Sequence, residues 1–191
     1  MSKANTLEKS TLKTEVAEPR SLRQVPAQGV LIYKGLVAGQ TYKIQATGEW
    51  EIAPGARCNA NGVDAVRTSA VDATYHPMRA AIRAKSESIK LQKHILAGSP
   101  WGTLSGLLIP RAQESVLEWL TGHIPLAKKW TDLTEMEILQ IEHFFGNSFL
   151  VGAASLIVPR FDANLVLVCN DFIGGYDDNS GYLTVQLSPE P

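Results

Sequence analysis

The chain has 191 residues, 45% of them apolar, and its 18 basic and 19 acidic residues leave a net charge of −1. This length suffices for one domain with a full hydrophobic core. The balanced charge lacks the basic excess that is typical of proteins binding nucleic acids or anionic membranes. No apolar run approaches the roughly 20 residues that a membrane-spanning helix needs.

The first segment, residues 1–23, is polar and mixed in charge. It contains too few apolar residues to offset the entropy lost on ordering, so we predict a disordered tail. It also lacks the apolar stretch of a secretory signal. We therefore expect cytoplasmic synthesis, and release by a non-classical route stays open.

Five segments have the apolar patterns of β-strands, as continuous runs or in alternation: residues 30–35, 41–46, 149–158, 165–169 and 182–187. In the second segment, alternation places Tyr42, Ile44 and Ala46 on one face. In the last, it points Leu183, Val185 and Leu187 inward. Gly48 and the turn signal Ala53-Pro54-Gly55 predict a short separate strand around Trp50, whose default role is core packing.

Between residues 105 and 145 the apolar spacing indicates a helical insert. Residues 112–120 and 133–145 predict two helices that form a hairpin. Asp132 or Thr134 can cap the second helix. Gly146 can end it, because glycine is the usual residue beyond a helix C-terminus.

Strands on both sides of this insert predict an all-β dominated fold, an antiparallel sandwich with an inserted helical hairpin. We expect one domain over residues 24–191. Cys58 and Cys169 are too few for a disulfide framework, so free thiols are the simpler interpretation and a single bridge is the alternative. No histidine spacing typical of a metal site and no catalytic motif occurs, so we do not expect an enzyme.

Residues 170–181 carry the richest chemistry, with the sequence Asn-Asp-Phe-Ile-Gly-Gly-Tyr-Asp-Asp-Asn-Ser-Gly. Calcium takes roughly six to eight oxygen ligands from carboxylates, amides and backbone carbonyls, and this loop can supply all three kinds. An EF-hand is excluded, because the twelfth position counted from Asp177 is Ser188 rather than a glutamate. A solvated hairpin loop is the alternative, since Asp, Asn and Gly are common turn formers.

The segment from Leu167 to Gly181 resembles the calcium-dependent galactophilic lectin family of bacteria (LecA-like). Members of that family end in a strand, an Asn-Asp pair, a glycine-containing bend, Tyr-x-Asn/Asp-Asn-Ser-Gly and a final strand. Residues 35–50 and 149–152 are similar to earlier strands of the family. The resemblance covers about residues 25–100 and 147–188. It implies a jelly-roll-like, galactose-binding-like β-sandwich.

The resemblance also implies a Ca²⁺ site. Its side-chain ligands would be Asp171, Asp178 and Asn179, with backbone carbonyls from Gly175 and Ile52. Vicinal hydroxyls of a sugar would complete the calcium shell and donate hydrogen bonds to the two carboxylates. The implied sugar-binding residues are Asp171, Phe172, Asp178, His76 and Arg79. Arg79 stands where the family has an amide, which leaves galactose specificity open.

We therefore expect a calcium-dependent carbohydrate-binding protein, with galactose or a related sugar as its ligand. We expect neither nucleic acid nor a membrane span among its partners, and a homo-oligomer stays open. The alternative is a structural or adaptor protein of the same fold that acts through its helical insert. In that case calcium would be absent or purely stabilising.

Overall fold

The computed structural model describes residues 14–17, 19–63, 95–96, 99–116, 132–172 and 175–191. The strands of this part of the chain are β1 (Thr14–Ala17), β2 (Leu22–Pro26), β3 (Val30–Leu36), β4 (Tyr42–Glu51), β5 (Arg57–Cys58), β6 (Asn61–Val63), β7 (Trp101–Pro110), β8 (Phe149–Leu150), β9 (Ala154–Ile157), β10 (Ala163–Cys169) and β11 (Ser180–Pro189). Helix α1 spans Glu135–Phe145. Short 3₁₀ turns occur at Arg111–Gln113 and Tyr176–Asp178.

The strands form two sheets. The first has the order β1-β3-β10-β7-β6, with β8 also paired to β7, and the second has the order β2-β11-β4-β5, with β9 also paired to β4. Neighbouring strands in these two orders run antiparallel, apart from β1, which runs parallel to β3. This arrangement confirms the predicted β-sandwich.

One hydrophobic core lies between the sheets. As predicted, Tyr42, Ile44 and Ala46 are buried on β4, and Leu183, Val185 and Leu187 are buried on β11, because alternate side chains of a strand share one face. The hydroxyl of Tyr33 donates to Val185 O at 3.0 Å, and Trp50 Nε1 donates to Gly102 O at 2.8 Å. These two bonds cross from one sheet to the other and satisfy the polar tips of buried aromatic side chains.

Two strand predictions differ from the structure at glycines. β4 continues through Gly48, which pairs with Leu183 at a φ of +98°, so the predicted separate strand around Trp50 is wrong. Residues 149–158 form β8 and β9 rather than one strand, because the chain turns at Gly152, whose φ is +64°. Glycine permits both conformations, so a pattern of apolar residues does not reveal which one is used.

The helical insert is smaller than predicted. Its expected start at residue 105 is wrong, because β7 continues to Pro110 in the first sheet. The second predicted helix is confirmed as α1, and Thr134 rather than Asp132 caps it. The Thr134 side chain accepts from Glu137 N, and the Glu137 carboxylate accepts from Thr134 N. Of the first predicted helix, residues 117–120 lie outside the described residues.

The predicted disordered tail does not extend to residue 23. Within residues 1–23, β1 pairs with β3, and the first residues of β2 pair with β11. A disordered segment up to residue 23 is therefore wrong for these strands, and residues 1–13 lie outside the described part of the chain. β2 lacks the apolar alternation of a half-buried strand, because its first three residues, Leu22, Arg23 and Gln24, are all exposed.

Candidate functional site

The loop from β10 to β11 closes one end of the sandwich. β10 is buried along its whole length and delivers Asn170 and Asp171 to the loop, and β11 starts at Ser180. Residues 173–174 lie outside the described part of the chain. The structure therefore places the predicted site between a central strand of each sheet.

Asn170 fastens the start of this loop to a neighbouring segment. Its Oδ1 accepts from Leu96 N at 2.8 Å, and its Nδ2 donates to Leu96 O at 3.2 Å and Pro100 O at 3.1 Å. Its carbonyl accepts from Gly102 N at 2.8 Å. The side chain is fully buried, and so its amide serves to hold the loop rather than to face a ligand.

Asp171 is the first predicted ligand, and it is only 1% exposed. Its Oδ1 accepts from Phe172 N at 2.6 Å. Its backbone N–H donates to the hydroxyl of Tyr176 at 3.3 Å, and its carbonyl accepts from Ile95 N at 3.2 Å. Its backbone is thus held on both sides.

Tyr176 joins the two ends of the loop. It is fully buried, and its hydroxyl donates to Cys169 O at the end of β10 while accepting from Asp171 N. Its own carbonyl accepts from Asn179 N at 3.3 Å. Burial raises the pKa of Tyr176 well above its usual value, and the charges of Cys169 and Asp171 add to this shift. The hydroxyl therefore stays protonated and remains a donor.

At the far end of the loop, Asn179 is also 1% exposed. Its Nδ2 donates to Ala27 O at 3.2 Å, which identifies the other atom of the amide as the oxygen, the kind of atom a cation binds. Asp178 is half-buried beside it, whereas Asp177 is exposed. The extra carboxylate of this loop, on Asp177, is therefore on the water side, although the Asp177 carbonyl accepts from Gln28 Nε2 at 3.1 Å.

The two predicted carbonyl ligands lie on different segments. Gly175 is buried, and its N–H donates to Phe172 O at 2.9 Å within the loop. Ile52 follows β4, and its side chain lies next to Gly102. A Cβ added to Gly102 would lie 3.0 Å from Ile52 Cγ2. Gly102 in turn donates to the carbonyl of Asn170.

The residues of the predicted sugar site are only partly described. Phe172 is 2% exposed, and its ring lies 4.2 Å from that of Trp101 in an edge-to-face arrangement with an interplanar angle of 79°. Its side chain therefore supports the loop from the interior. His76 and Arg79 lie outside the described residues.

Cys58 lies below the loop. Burial raises the pKa of the Cys58 thiol from 9.0 to about 12. A hydrogen bond with Trp50 opposes this shift, and the charges of Asp171 and Glu49 add to it. The thiol is thus protonated at neutral pH. Both cysteines are buried and free, so they do not form the disulfide that was the alternative prediction.

The predicted calcium ligands are all oxygen atoms. In the described part of the chain, no group of three or more His, Cys, Asp and Glu residues could hold a metal ion. The set predicted here is of a different kind, with two carboxylates, one amide and two carbonyls. Such a set is chemically compatible with Ca²⁺, which accepts all three kinds of oxygen in irregular geometry.

Comparisons with known proteins give similarity to solved structures only at the level of the fold. No family model and no curated protein matches the chain. Among solved structures, it is similar to the EclA N-terminal domain, a PllA-like lectin, with 14% sequence identity and a TM-score of 0.47 over 88% of this chain and 95% of that chain. This identity and TM-score are too low to indicate a ligand. No helix among the described residues is long and apolar enough to span a membrane.

Removing the Tyr176 hydroxyl tests its role in the loop. Tyr176→Phe keeps the packing of the ring but deprives Cys169 O and Asp171 N of their partner, so we expect a loss of about 1–3 kcal/mol in unfolding free energy. Hydrogen exchange at the Asp171 amide should accelerate. Tyr33→Phe is the matched control, because its buried hydroxyl donates to Ser21 O and Val185 O instead. Equal acceleration at Asp171 in both variants would contradict the role.

The raised pKa of Cys58 predicts a loss of stability in alkali. The folded state keeps the thiol protonated, whereas the unfolded chain releases the proton near its ordinary pKa of 9.0. The contribution of this group is therefore complete below pH 9 and declines as the pH rises toward 12. Between pH 9 and 11, the unfolding free energy of the wild type in denaturant should fall by about 1 kcal/mol per pH unit more than that of Cys58→Ser. Parallel curves would show that Cys58 is not the cause.

Proposed function

We propose that this chain binds carbohydrate through a calcium ion held by the loop between β10 and β11. The observation that supports this proposal is the double connection made by Tyr176. Its hydroxyl bonds to the backbone of Asp171 and its carbonyl to the backbone of Asn179. Two buried residues with oxygen-bearing side chains are thereby held in one loop, with the half-buried Asp178 beside them.

The charges of this loop favour a cation. A buried carboxylate such as that of Asp171 is costly unless hydrogen bonds or a positive charge stabilise it. With Asp178, the proposed ligands carry two negative charges, which balance one Ca²⁺. Calcium affinity grows with the number of charged ligands and the rigidity of the site, and this loop supplies two carboxylates.

A bound calcium would supply the means of recognising a sugar. Two vicinal hydroxyls of the sugar would complete the oxygen shell of the metal, and each could donate to a carboxylate of Asp171 or Asp178. Hydrogen bonds to charged acceptors are the stronger ones, and their geometry would select the stereochemistry of the diol. Galactose or a related sugar is the ligand class that the loop sequence favours.

Neutralising one carboxylate tests the calcium ligands. We expect Asp178→Asn to weaken calcium binding at least about tenfold, because it removes a charged ligand. Asp177→Asn makes the same change at the adjacent, exposed position and should weaken binding less than about threefold, since water and salt screen an exposed charge. Isothermal titration calorimetry with calcium, in a buffer free of other divalent ions, measures both.

Two outcomes would count against these ligands. If Asp177→Asn and Asp178→Asn weaken binding equally, the loop attracts calcium only through its net charge. If calcium neither binds nor raises the melting temperature of the wild type, the calcium site is absent, because a ligand of the native state must stabilise it.

Sugar binding should depend on the metal. On a panel of monosaccharides, we expect binding of galactose or a close relative in the presence of calcium, its loss with EDTA, and its return when calcium is restored. Asp171→Ala should remove it, and Asp177→Asn should retain it. Sugar binding that survives EDTA would contradict calcium-mediated recognition while leaving carbohydrate binding itself intact.

An adaptor function is the second candidate, and one surface favours it. Helix α1 exposes 64% of Met136 and 55% of Leu139. Beside them is a largely apolar cleft of about 370 Å³, lined by Ser115, Val116, Leu139, Gln140, His143 and Phe144. An exposed apolar surface of this kind is typical of contacts with another protein. Sugar binding that EDTA abolishes separates the two functions, since calcium in an adaptor would at most stabilise the fold.

A further inference from the structure

A second cleft lies at the opposite end of β10 from the loop. It has a volume of about 260 Å³ and is lined by Lys34, Gly35, Arg111, Glu114 and Asn164. Asn164 and Asp171 are seven positions apart along an extended strand, which corresponds to about 23 Å. Charges at that separation are screened at physiological salt, where the Debye length is about 8 Å. The cleft is therefore independent of the proposed calcium site.

Asn164 is a buried amide in an apolar strand. It is 5% exposed, and the register between β10 and β3 shifts at its position. Its Oδ1 accepts from Gly35 N at 3.3 Å, which assigns the other atom of the amide as Nδ2. Among the described residues, none accepts a hydrogen bond from this Nδ2. Asn164 lines the cleft, so a ligand there can accept from this Nδ2 in place of water.

The cleft is also positively charged. Among the described residues that line it, Lys34 and Arg111 are basic and Glu114 is acidic. Lys34 Nζ and Glu114 Oε1 are 4.0 Å apart, with 41% and 68% of the two side chains exposed. An exposed pair at this distance contributes little and can open without much cost. The lining residues that the structure describes thus carry one positive charge in excess.

We propose that this cleft binds a small oxyanion of the phosphate or sulfate type. Arg111 supplies a planar group of donors that matches such oxygens, Lys34 supplies a second charge, and Asn164 Nδ2 donates a hydrogen bond. The volume is below the roughly 300–1,000 Å³ of sites for drug-sized ligands, so the cleft fits a single anionic group rather than a large molecule.

Titration with inorganic phosphate tests the proposal on the full chain in calcium-free buffer at constant ionic strength. Amide chemical shifts of Gly35 and Asn164 should move and saturate. Arg111→Ala should raise the dissociation constant about tenfold, as expected for loss of a charge-assisted hydrogen bond, and Lys34→Ala should also raise it. Arg57→Ala is the matched control: it removes the same charge from an exposed side chain on β5 and should leave binding unchanged.

Asn164→Asp is the sharpest variant. It retains an oxygen to accept from Gly35 N, yet it replaces the amide donor by a negative charge, and so it should abolish phosphate binding. If this variant does not fold, Arg111→Ala and Arg57→Ala still decide the question. Shifts that do not saturate, or an equal effect of the two arginine variants, would mean an adventitious ion only and would overturn the proposal.

A second arm distinguishes the source of the anionic group. Glucose 6-phosphate carries the phosphoryl group on a sugar, whereas inorganic phosphate is free. Binding of both would support a cleft that accepts the terminal group of a larger ligand. Binding of inorganic phosphate alone would support a site for the free ion. Binding of neither would contradict the proposal.

Discussion

Gly102 is the point at which both sheets and the functional loop are held together. Its N–H donates to Asn170 O, and its carbonyl accepts from Trp50 Nε1 and, weakly, from Cys58 Sγ. Its φ is +69°, and a Cβ added there would lie about 2.4 Å from Cys58 Sγ and close to Ile52. Only glycine fits this position, because any side chain would displace the core beneath the loop.

The hydrogen bonds around Gly102 also fix the start of the loop between β10 and β11. Asn170 is fixed on one side by Gly102 and on the other by the Leu96–Pro100 segment, so Asp171 starts from a fixed position. Further along the loop, the hydroxyl of Tyr176 donates to Cys169 O at the end of β10. All of these bonds are made by groups of the protein itself. The proposed calcium site would therefore lose little conformational entropy on binding, which is the advantage of pre-organisation.

Much of the sandwich could be predicted from the sequence, because alternation along β4 and β11 and the buried run of β10 are strong signals. β7 is only partly predictable, because its glycines, Thr103 and Ser105 interrupt the run of apolar residues that would indicate a buried strand. The start of β2 lies in the segment predicted as a tail, because Leu22 and Arg23 are exposed and only Val25 of this strand is buried. Such strands are stabilised by neighbours distant in sequence, and local patterns do not contain that information.

The loop shows the same division. Its composition and its resemblance to a lectin family identified the candidate ligands, while the supporting residues stayed hidden. Asn170 counted as one more polar turn residue, yet it is a buried anchor. Tyr176 was part of a motif without a role, yet it joins both ends of the loop. Their roles depend on the positions of Leu96, Cys169 and Asn179 in space, which no spacing along the chain reveals.

The position of β11 has a consequence for how this protein is made. β11 lies between β2 and β4, so the second sheet lacks its central strand until these late residues have been synthesised. The Tyr33–Val185 and Asn179–Ala27 hydrogen bonds each join residues 152 apart in sequence. Contacts of such separation make folding slow, and the earlier strands expose unpaired edges meanwhile. On the ribosome, the loop between β10 and β11 would thus be among the last parts to assemble, and a nascent chain that stalls before β11 would be prone to aggregation.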